Sequence, residues 1–257
     1  MALRRAVVVT KHATFRFYEE LNDFLPPDRR KAAFDHPFNG TPAVKDVIEA
    51  IGVPHPEIDL ILVDGASVGF DHRLQGGERV AVYPMFERID VAPVTRLRPQ
   101  PLRDPRFVLD VHLGKLARYL RLLGFDAIYE RDYDDAAIAS IASRERRILL
   151  TRDRGLLKRN EVTRGYWLRH TRPRLQIAET VEALDLRGSV REFSRCMVCN
   201  HALEPVEETS IRDELPPRVR GRFEQVSLCR GCDRLYWPGS HYDRLRGLVR
   251  DLLTAPR

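Results

Sequence analysis

The sequence predicts an α/β protein made of three folded units, and three observations support this prediction. Apolar segments of alternating strand and helix character fill residues 107–151, an order that is typical of a parallel sheet. Four prolines, Pro93, Pro99, Pro101 and Pro105, stand in a stretch without periodicity, as in an extended linker. All four cysteines lie near the C-terminus, where they indicate a small separate module.

The length of the chain allows more than one domain, because 257 residues with 43% hydrophobic content suffice for several cores. The prolines mark one boundary, and a second is predicted just before the first cysteine pair, near residues 188–195. The predicted segments are an α+β domain at 1–90, a linker at 91–105, an α/β domain at 106–190 and a cysteine-containing module at 191–257.

Hydropathy predicts that the chain is not a membrane protein, and its charge is compatible with nucleic-acid binding. The chain has no apolar run approaching the roughly 18 residues of a membrane span, and residues 1–10 lack the apolar core of a leader peptide. We therefore expect a soluble cytoplasmic protein without a membrane partner. The net charge is +6, and residues 101–190 hold 18 Lys and Arg against 13 Asp and Glu. Such a bias suits a polyanion such as nucleic acid, although a mildly basic solvated surface is a common alternative.

The N-terminal domain is predicted from four short periodic segments. Residues 13–17 alternate as in a strand, and residues 43–51 have helical spacing after Thr41-Pro42. Residues 61–63 and 79–83 are predicted to be further strands. A strand, a helix and two later strands indicate a small α+β sheet domain.

The middle domain has the strand and helix order of a parallel sheet. Its strands and helices are predicted at residues 107–109, 113–123, 136–144 and 147–151. Asp110 directly follows the first strand, and Arg152-Asp153 follows the second. Because residues just past the carboxyl ends of parallel strands line the ligand crevice, we expect Asp110 and Asp153 to meet there.

A third acid, Asp135, stands at the predicted start of the second helix. Carboxylates that share a crevice suit Mg²⁺ or Mn²⁺, because these ions prefer oxygen ligands and keep waters for substrate phosphates. Such an ion makes a nucleophile of water and neutralises charge on a phosphodiester. The alternative is helix capping, which Asp134 or Asp135 fills equally well. Asp110 and Asp153 are also consistent with solvated acids at a strand end and in a turn.

The first helix of this domain has basic residues beside an apolar stripe. The predicted buried stripe is Leu113, Leu116, Ala117 and Leu120. Lys115, Arg118 and Arg121 lie off the stripe, and Gly124 is expected just past the helix end. The positive N-terminus of this helix follows Asp110, so Lys115 and Arg118 are candidates to hold a phosphate backbone. A solvated basic face is the alternative.

The cysteines form two Cys-x-x-Cys pairs, Cys196 with Cys199 and Cys229 with Cys232, and 29 residues separate the pairs. Two such turns fill the tetrahedral thiolate shell of a structural zinc site. A closed shell has no open position for substrate, so we expect the chemistry elsewhere. Two disulfides or a dithiol redox motif are the alternatives, but neither an export signal nor a thioredoxin-like setting accompanies the pairs.

Three longer motifs stand in the second half of the chain. They are Gly-Lys-Leu-Ala-Arg at 114–118, Leu-Thr-Arg-Asp at 150–153 and Gly-Ser-His at 239–241. With the sequence around them, these motifs resemble the Mut7-C family of PIN-like RNase domains, which carries an appended zinc ribbon. The resemblance implies a PIN-like α/β fold and metal-dependent cleavage of RNA, with Asp110, Asp135 and Asp153 at the acidic positions.

One departure from that family concerns a fourth acid. PIN nucleases usually bring a fourth acid after the third, but the next acid here is Glu161, beyond several basic residues. Two interpretations stay open: Glu145 completes the metal shell from the preceding helix, or the site holds one ion.

The N-terminal domain has a resemblance of its own. Residues 59–65 and 76–84 resemble ubiquitin-like β-grasp domains of the sulfur-carrier type, a unit that bacterial members of the same family carry. Sulfur carriers act through a free C-terminal Gly-Gly, whereas Gly76-Gly77 is internal here. We therefore expect an interaction or scaffold role, with a protein partner as one possibility.

The combined prediction is a metal-dependent ribonuclease with a structural zinc ion. The predicted ligands of Mg²⁺ or Mn²⁺ are Asp110, Asp135 and Asp153, and the predicted phosphate contacts are Lys115, Arg118 and Arg152. The alternative is a catalytically silent RNA-binding or ribosome-associated adaptor. Aromatic residues near the zinc pairs are expected either to stack unpaired bases or to pack over the small core, and these are Phe193, Phe223, Tyr236 and Trp237.

Overall fold

The computed structural model describes residues 10–85, 95–97, 105–223 and 225–254. The chain divides into two compact units, of which the first comprises Met1–Arg103 with Asp153–Trp167 and the second comprises Asp104–Arg152 with Leu168–Arg257. Most of the predicted linker, at 91–94 and 98–104, lies outside the described residues.

The described chain contains six α-helices and twelve strands. The helices are α1 (Val44–Ile51), α2 (Gly114–Leu122), α3 (Asp135–Arg144), α4 (Arg154–Leu157), α5 (Pro173–Ala183) and α6 (Ser240–Thr254). The strands are β1 (Thr10–Phe17), β2 (Phe34–Asn39), β3 (Ile58–Val63), β4 (Ala66–Ser67), β5 (Arg79–Pro84), β6 (Phe107–Leu109), β7 (Ala127–Ile128), β8 (Ile148–Thr151), β9 (Gly165–Trp167), β10 (Leu203–Glu207), β11 (Gln225–Cys229) and β12 (Arg234–Tyr236). None of the described helices is long and apolar enough to cross a membrane.

The first unit contains a five-stranded sheet in the order β2-β1-β5-β3-β4. β1 pairs with β5 in parallel, whereas its pairing with β2 and the pairing of β3 with β5 are antiparallel. Side chains that alternate along the strands face one core, which includes Phe15 and Phe17 of β1 and Ile61 of β3. Ile48 of α1 is part of the same core. The predicted α+β domain is confirmed, and each of its four predicted segments forms a strand or helix.

Gly76-Gly77 is part of a turn directly before β5. The backbone amide of Gly76 donates to a carboxylate oxygen of Glu78 at 2.8 Å, and the amide of Gly77 donates to the carbonyl of His12 at 2.7 Å. The pair therefore closes a turn inside the sheet domain, which agrees with its internal position in the sequence.

The second unit contains the parallel strands β7, β6 and β8, with β6 in the centre. Phe107, Val108 and Leu109 of β6 are fully buried, as expected for a strand covered on both faces. In α2 the predicted stripe is confirmed, because Leu116, Ala117 and Leu120 have no exposed surface and Leu113 is 3% exposed. The predicted parallel sheet of the middle domain is thus also confirmed.

The C-terminal part of the second unit is an antiparallel sheet in the order β10-β11-β12, followed by α6. A small apolar core supports it, made of Ile211, Leu215, Val219 and Val226. Helix α6 packs against α5, and Val249 and Leu252 are its buried residues.

Gly124 lies between α2 and β7 and contacts the backbone of Arg191, at the start of the cysteine module. It has φ +93°, and an added Cβ would lie 2.1 Å from the carbonyl oxygen of Arg191. We expect Gly124→Ala to lower the free energy of unfolding by about 3 kcal/mol or more, because left-handed strain and a backbone clash add together. Chemical denaturation would measure this loss. Gly188→Ala is the matched control, since nothing lies within 4 Å of its added Cβ, and equal stability of the two variants would contradict the prediction.

Candidate functional site

Asp110 lies at the carboxyl end of the central strand β6. Its carboxylate is almost buried, with 7% of the residue exposed, and its Oδ2 accepts a hydrogen bond of 2.6 Å from the hydroxyl of Thr151. Thr151 ends β8 and is fully buried. The parallel register, with Leu109 opposite Leu150, brings these two residues together at the same edge of the sheet. No salt bridge to Asp110 occurs among the described residues.

The backbone after Asp110 is held by Tyr129, which follows β7. The Tyr129 hydroxyl donates to the carbonyl of Val111 at 2.9 Å. Gly114 makes this contact possible, because a Cβ on residue 114 would lie 2.7 Å from the same hydroxyl oxygen. The glycine of the Gly-Lys-Leu-Ala-Arg motif therefore allows the Tyr129 side chain to approach closely the turn that follows Asp110.

The other two predicted acids are exposed. Asp135 is the first residue of α3, and Asp134 is the N-cap, with its side chain accepting from the amide of Ala137 at 2.7 Å. Capping therefore does not occupy Asp135. Asp153 caps α4 by accepting from the amide of Gly155 at 2.7 Å. Asp153 belongs to the first compact unit and Asp110 to the second, so their convergence stays a prediction.

The predicted phosphate contacts are exposed. Lys115 and Arg118 lie on the solvent face of α2, and Arg152 follows the end of β8. Their exposure fits either predicted use, phosphate binding or solvation.

The four cysteines form one cluster. The Sγ atoms of Cys196, Cys199, Cys229 and Cys232 all lie within 4.8 Å of one another. The Sγ distances are 3.2 Å between Cys199 and Cys229 and 3.6 Å between Cys196 and Cys232. Four sulfurs at about 2.3 Å from a tetrahedral zinc ion stand roughly 3.8 Å apart, so the cluster fits one zinc ion with a small expansion. All four cysteines are free thiols in a single cluster, which agrees better with a zinc site than with two disulfide bonds.

The thiols differ in how readily they ionise. Burial raises the pKa of the Cys196 thiol, but hydrogen bonds from the Cys199 amide and the Tyr236 hydroxyl outweigh it and bring the pKa to about 6. Burial raises the pKa of Cys229 to about 12, and it also raises the pKa of Cys232. Binding of a metal ion would therefore displace protons from Cys229 and Cys232.

Five polar residues tie the first cysteine turn to the amino end of the parallel sheet, and we call them the amino-edge network. They are Arg121, Asp126, Glu145, Arg147 and Asn200. Arg147 donates twice to the Asp126 carboxylate, at 2.8 and 3.2 Å, and once to Glu145 at 2.8 Å. Asn200, directly after Cys199, donates to Asp126 at 2.7 Å. The cysteine module and the sheet are therefore one hydrogen-bonded assembly.

Arg121 completes this assembly from α2. Its guanidinium donates to the carbonyl of Ala127 at 2.9 Å and to that of Val198, within the Cys-x-x-Cys turn, at 2.7 Å. The residue is 5% exposed, so the prediction that it lies off the buried stripe is wrong. The signal was present, because residue 121 follows Ala117 by four positions and thus extends the stripe.

Glu145 is not available to a metal at the carboxyl edge. It pairs with Arg147 and Arg144 before the start of β8, at the opposite end of the strands from Asp110. The interpretation in which Glu145 completes the shell of acids is therefore wrong. The reason is that the acid stands at the amino end of a parallel strand, and only residues past the carboxyl ends share the edge with Asp110.

The aromatic residues of the cysteine module make packing contacts. Phe223 and Trp237 pack against the small apolar core, and Tyr236 contacts the Cys196 sulfur at 3.1 Å. Phe193 lies 4.3 Å from Tyr242 of α6, measured between ring centroids. These contacts support the packing alternative over base stacking.

Comparison with known protein families shows which family the chain belongs to. A family model described as the Mut7-C RNAse domain matches residues 105–249, which is more than half of the chain. The chain belongs to this family. A second model, described as Mut7-C ubiquitin, matches residues 10–90. No curated protein and no solved structure matches the chain.

The Mut7-C RNAse match includes Asp110, the cysteine cluster and the first turns of α6. It also includes the residues of α4 and β9, which the structure groups with the ubiquitin-like unit. The ligand atoms of the four cysteines lie within 4.8 Å of one another. Among the described residues, no group of three or more possible metal ligands this close together includes Asp110 or Asp135.

The amino-edge network gives the Mut7-C RNAse domain a pH-dependent stability. Burial would raise the pKa of Asp126, but hydrogen bonds from Arg147 and Asn200 outweigh it and hold the pKa below its usual value. A carboxylate with a lowered pKa stabilises the fold at neutral pH, and this contribution is lost as pH falls through the folded pKa. We therefore expect the free energy of unfolding to fall more steeply below about pH 4 in the parent protein than in Asp126→Asn.

Urea denaturation between neutral and acidic pH, with zinc present, measures this difference. Asp132→Asn is the control, because Asp132 is exposed and does not belong to the amino-edge network. Any loss of zinc at acidic pH affects this variant as much as it affects Asp126→Asn. A parallel pH dependence for the parent protein and Asp126→Asn would contradict the assignment.

Proposed function

We propose that the chain is a metal-dependent ribonuclease whose reaction takes place at the carboxyl edge of the β6–β8 sheet. The Mut7-C RNAse match supports a nuclease, and the finer assignment rests on Asp110.

The observation that carries the proposal is the setting of the Asp110 carboxylate. It is almost buried, its one described side-chain partner is the neutral hydroxyl of Thr151, and no described cation neutralises it. A buried carboxylate without a cation is costly, and the cost falls when a metal ion binds. Because the Thr151 hydroxyl bonds to Oδ2, we assign Oδ1 as the oxygen that would bind the ion.

We assign the remaining roles to the acids and bases that the sequence predicts for this site. We assign Asp135 and Asp153 as further ligands of Mg²⁺ or Mn²⁺, and Lys115, Arg118 and Arg152 as groups that position the scissile phosphate. A bound ion would lower the pKa of water for attack at phosphorus and offset the charge that develops on the phosphodiester. The basic residues would hold the RNA backbone by charge-assisted hydrogen bonds.

The zinc ion has a structural role in this proposal. A closed shell of four thiolates has no site for substrate, and the amino-edge network joins it to the end of the sheet that is opposite Asp110. RNA is the proposed partner of the carboxyl edge, and the zinc module stabilises the domain that presents it.

A catalytically silent RNA-binding adaptor is the second candidate. The observation that favours it is that no group of three described metal ligands includes Asp110 or Asp135. An adaptor would bind RNA through the same basic residues without needing Mn²⁺ at the carboxyl edge.

The deciding experiment follows end-labelled structured and single-stranded RNAs with Mn²⁺, Mg²⁺ or EDTA. The parent protein is compared with an Asp110→Asn/Asp153→Asn double variant. We expect cleavage that requires the ion and disappears in the variant. RNA binding without cleavage under all conditions would favour the adaptor, and equal cleavage by the two proteins would exclude the proposed centre.

A further inference from the structure

After β8 the chain passes through α4 and β9 before it reaches Leu168, and we call residues 153–167 the returning segment. The segment begins with the N-cap of α4 and ends with β9. The chain before and after the segment is joined by a hydrogen bond, because the amide of Leu168 donates to the carbonyl of Thr151 at 2.8 Å. Although the Mut7-C RNAse match includes this segment, it forms one compact unit with the ubiquitin-like domain.

An aromatic and cationic stack holds one side of the returning segment. The Arg154 guanidinium lies 4.1 Å from the Trp167 ring and 5.0 Å from the ring of Phe24, a core residue of the ubiquitin-like domain. Phe24 and Trp167 are themselves 5.1 Å apart. A guanidinium on two aromatic faces is stabilised by cation–π attraction, most strongly where water is excluded. Trp167 also packs against the apolar core of this unit.

Polar contacts hold the segment at three further points. Lys158 donates to the carbonyl of Glu49, in the last turn of α1, at 2.7 Å. Lys45 of α1 donates in the opposite direction, to the Asn160 side chain, at 2.8 Å. The backbone amide of Trp167 donates to the Glu57 carboxylate. Helix α1 and the turn before β3 thus contact the segment along its length.

The helix in this segment depends on those contacts. α4 is a single turn of four residues, and an isolated helix of that length is not stable in water. Its position is therefore set by the surface on which it packs. Asp153 is the N-cap of this turn, so the orientation of its carboxylate follows from the position of α4.

We infer that the ubiquitin-like domain is an intramolecular clamp that positions Asp153 for metal binding. The inference rests on the proposed function in one respect, the role of Asp153 as a metal ligand. Arg154, Lys158 and Lys45 are positioning residues in this arrangement. The domain needs no free C-terminal Gly-Gly for such a role, which agrees with the internal place of Gly76-Gly77.

The test compares the full-length parent protein with two variants. Arg154→Ala/Lys158→Ala loosens the segment from its own side, and Lys45→Met loosens it from α1. All three residues are only partly buried, so both variants are expected to fold. Arg174→Ala, an exposed arginine of α5, is the matched control.

Two readouts are required, and the first needs no metal. Hydrogen exchange of amides 154–167 is expected to become at least about tenfold faster in the double variant. The reason is that local opening of the segment no longer has to break the contacts of Arg154 and Lys158, so the free energy of opening is lower. The Mn²⁺ concentration for half-maximal binding, measured by electron paramagnetic resonance, is expected to rise by about 10-fold or more, the size typical of losing a partner that orients a metal ligand. Lys45→Met is expected to change both values in the same direction, and Arg174→Ala to change neither.

The outcomes separate the clamp from the proposed ribonuclease. Unchanged exchange in both variants overturns the clamp, and so does faster exchange with unchanged Mn²⁺ binding. A parent protein that binds Mn²⁺ and obeys these expectations but cleaves no RNA supports the clamp and overturns the ribonuclease. A parent protein that binds no Mn²⁺ overturns both the metal centre and the positioning role.

Discussion

Asp110→Asn is expected to lower the rate of RNA cleavage by roughly 10²–10³-fold or more, the loss typical of removing one preorganised electrostatic group from an active site. The amide has the same shape as the carboxylate and still accepts the Thr151 hydrogen bond, but it carries no charge to hold a cation. RNA affinity is expected to stay unchanged, because phosphate contacts come from basic side chains. Single-turnover cleavage and fluorescence anisotropy measure the two quantities separately.

Thr151→Val is the graded companion to this variant. It keeps the Asp110 charge and the volume of the side chain but removes the hydroxyl that orients the carboxylate at 2.6 Å. A loss of about 10–100-fold in Mn²⁺ affinity is expected, as for other partners of metal ligands.

If Asp110→Asn cleaved RNA as fast as the parent protein, the proposed site at the carboxyl edge would be wrong. If it lost RNA binding instead, Asp110 would have a structural role.

Removal of zinc is expected to unfold the cysteine module and to destabilise the parallel sheet with it. Structural zinc sites bind with apparent free energies of about 10–16 kcal/mol near neutral pH, and this energy becomes folding energy when the apo site is not formed. The small core of Ile211, Leu215, Val219 and Val226 is too limited to replace it. Without the cysteine turn, Arg121 and Asp126 lose their partners at Val198 and Asn200.

The measurement is the metal content per chain together with thermal unfolding of Cys229→Ser and of the chelator-treated parent protein. One zinc per chain is expected in the parent protein and none in the variant, with a lower Tm. Ser227→Ala, on the same strand, is the control that keeps the four thiols. Full zinc content in Cys229→Ser, or an unchanged Tm after chelation, would contradict the structural role.

These two predictions concern opposite ends of one short sheet. Asp110 follows the carboxyl end of β6, while Asp126 and Arg147 bond at its amino end, and the strand between them is only three residues long, or roughly 10 Å. Loss of zinc is therefore expected to reduce cleavage through the stability of the sheet. Loss of Asp110 is expected to reduce cleavage without a change in zinc content.

The sequence by itself determined the features that depend on residues close together in the chain. Strand alternation and the stripe of α2 repeat within a dozen residues, so the periodicity predicted β1, α1, β3 and β5 of the first sheet domain and β6, α2, α3 and β8 of the second. The shorter or less regular strands β2, β4 and β7 were not predicted. The Cys-x-x-Cys pairs predicted the metal cluster because thiolate chemistry and turn spacing leave few other uses for them. The placement of Asp110 at a carboxyl edge followed from the order of strands and helices.

Only the tertiary structure decided which distant residues share an environment. Arg121 is buried because the turn around Val198, far along the chain, offers its carbonyl oxygen. Glu145 lies at the amino end of β8, where Arg147 pairs with it, and the count of acids in the sequence contains no such information. The returning segment joins the ubiquitin-like domain through Arg154 and Lys158, although it directly follows a strand of the parallel sheet. The contact of Lys158 with Glu49 joins residues 109 positions apart, and local periodicity does not encode such packing.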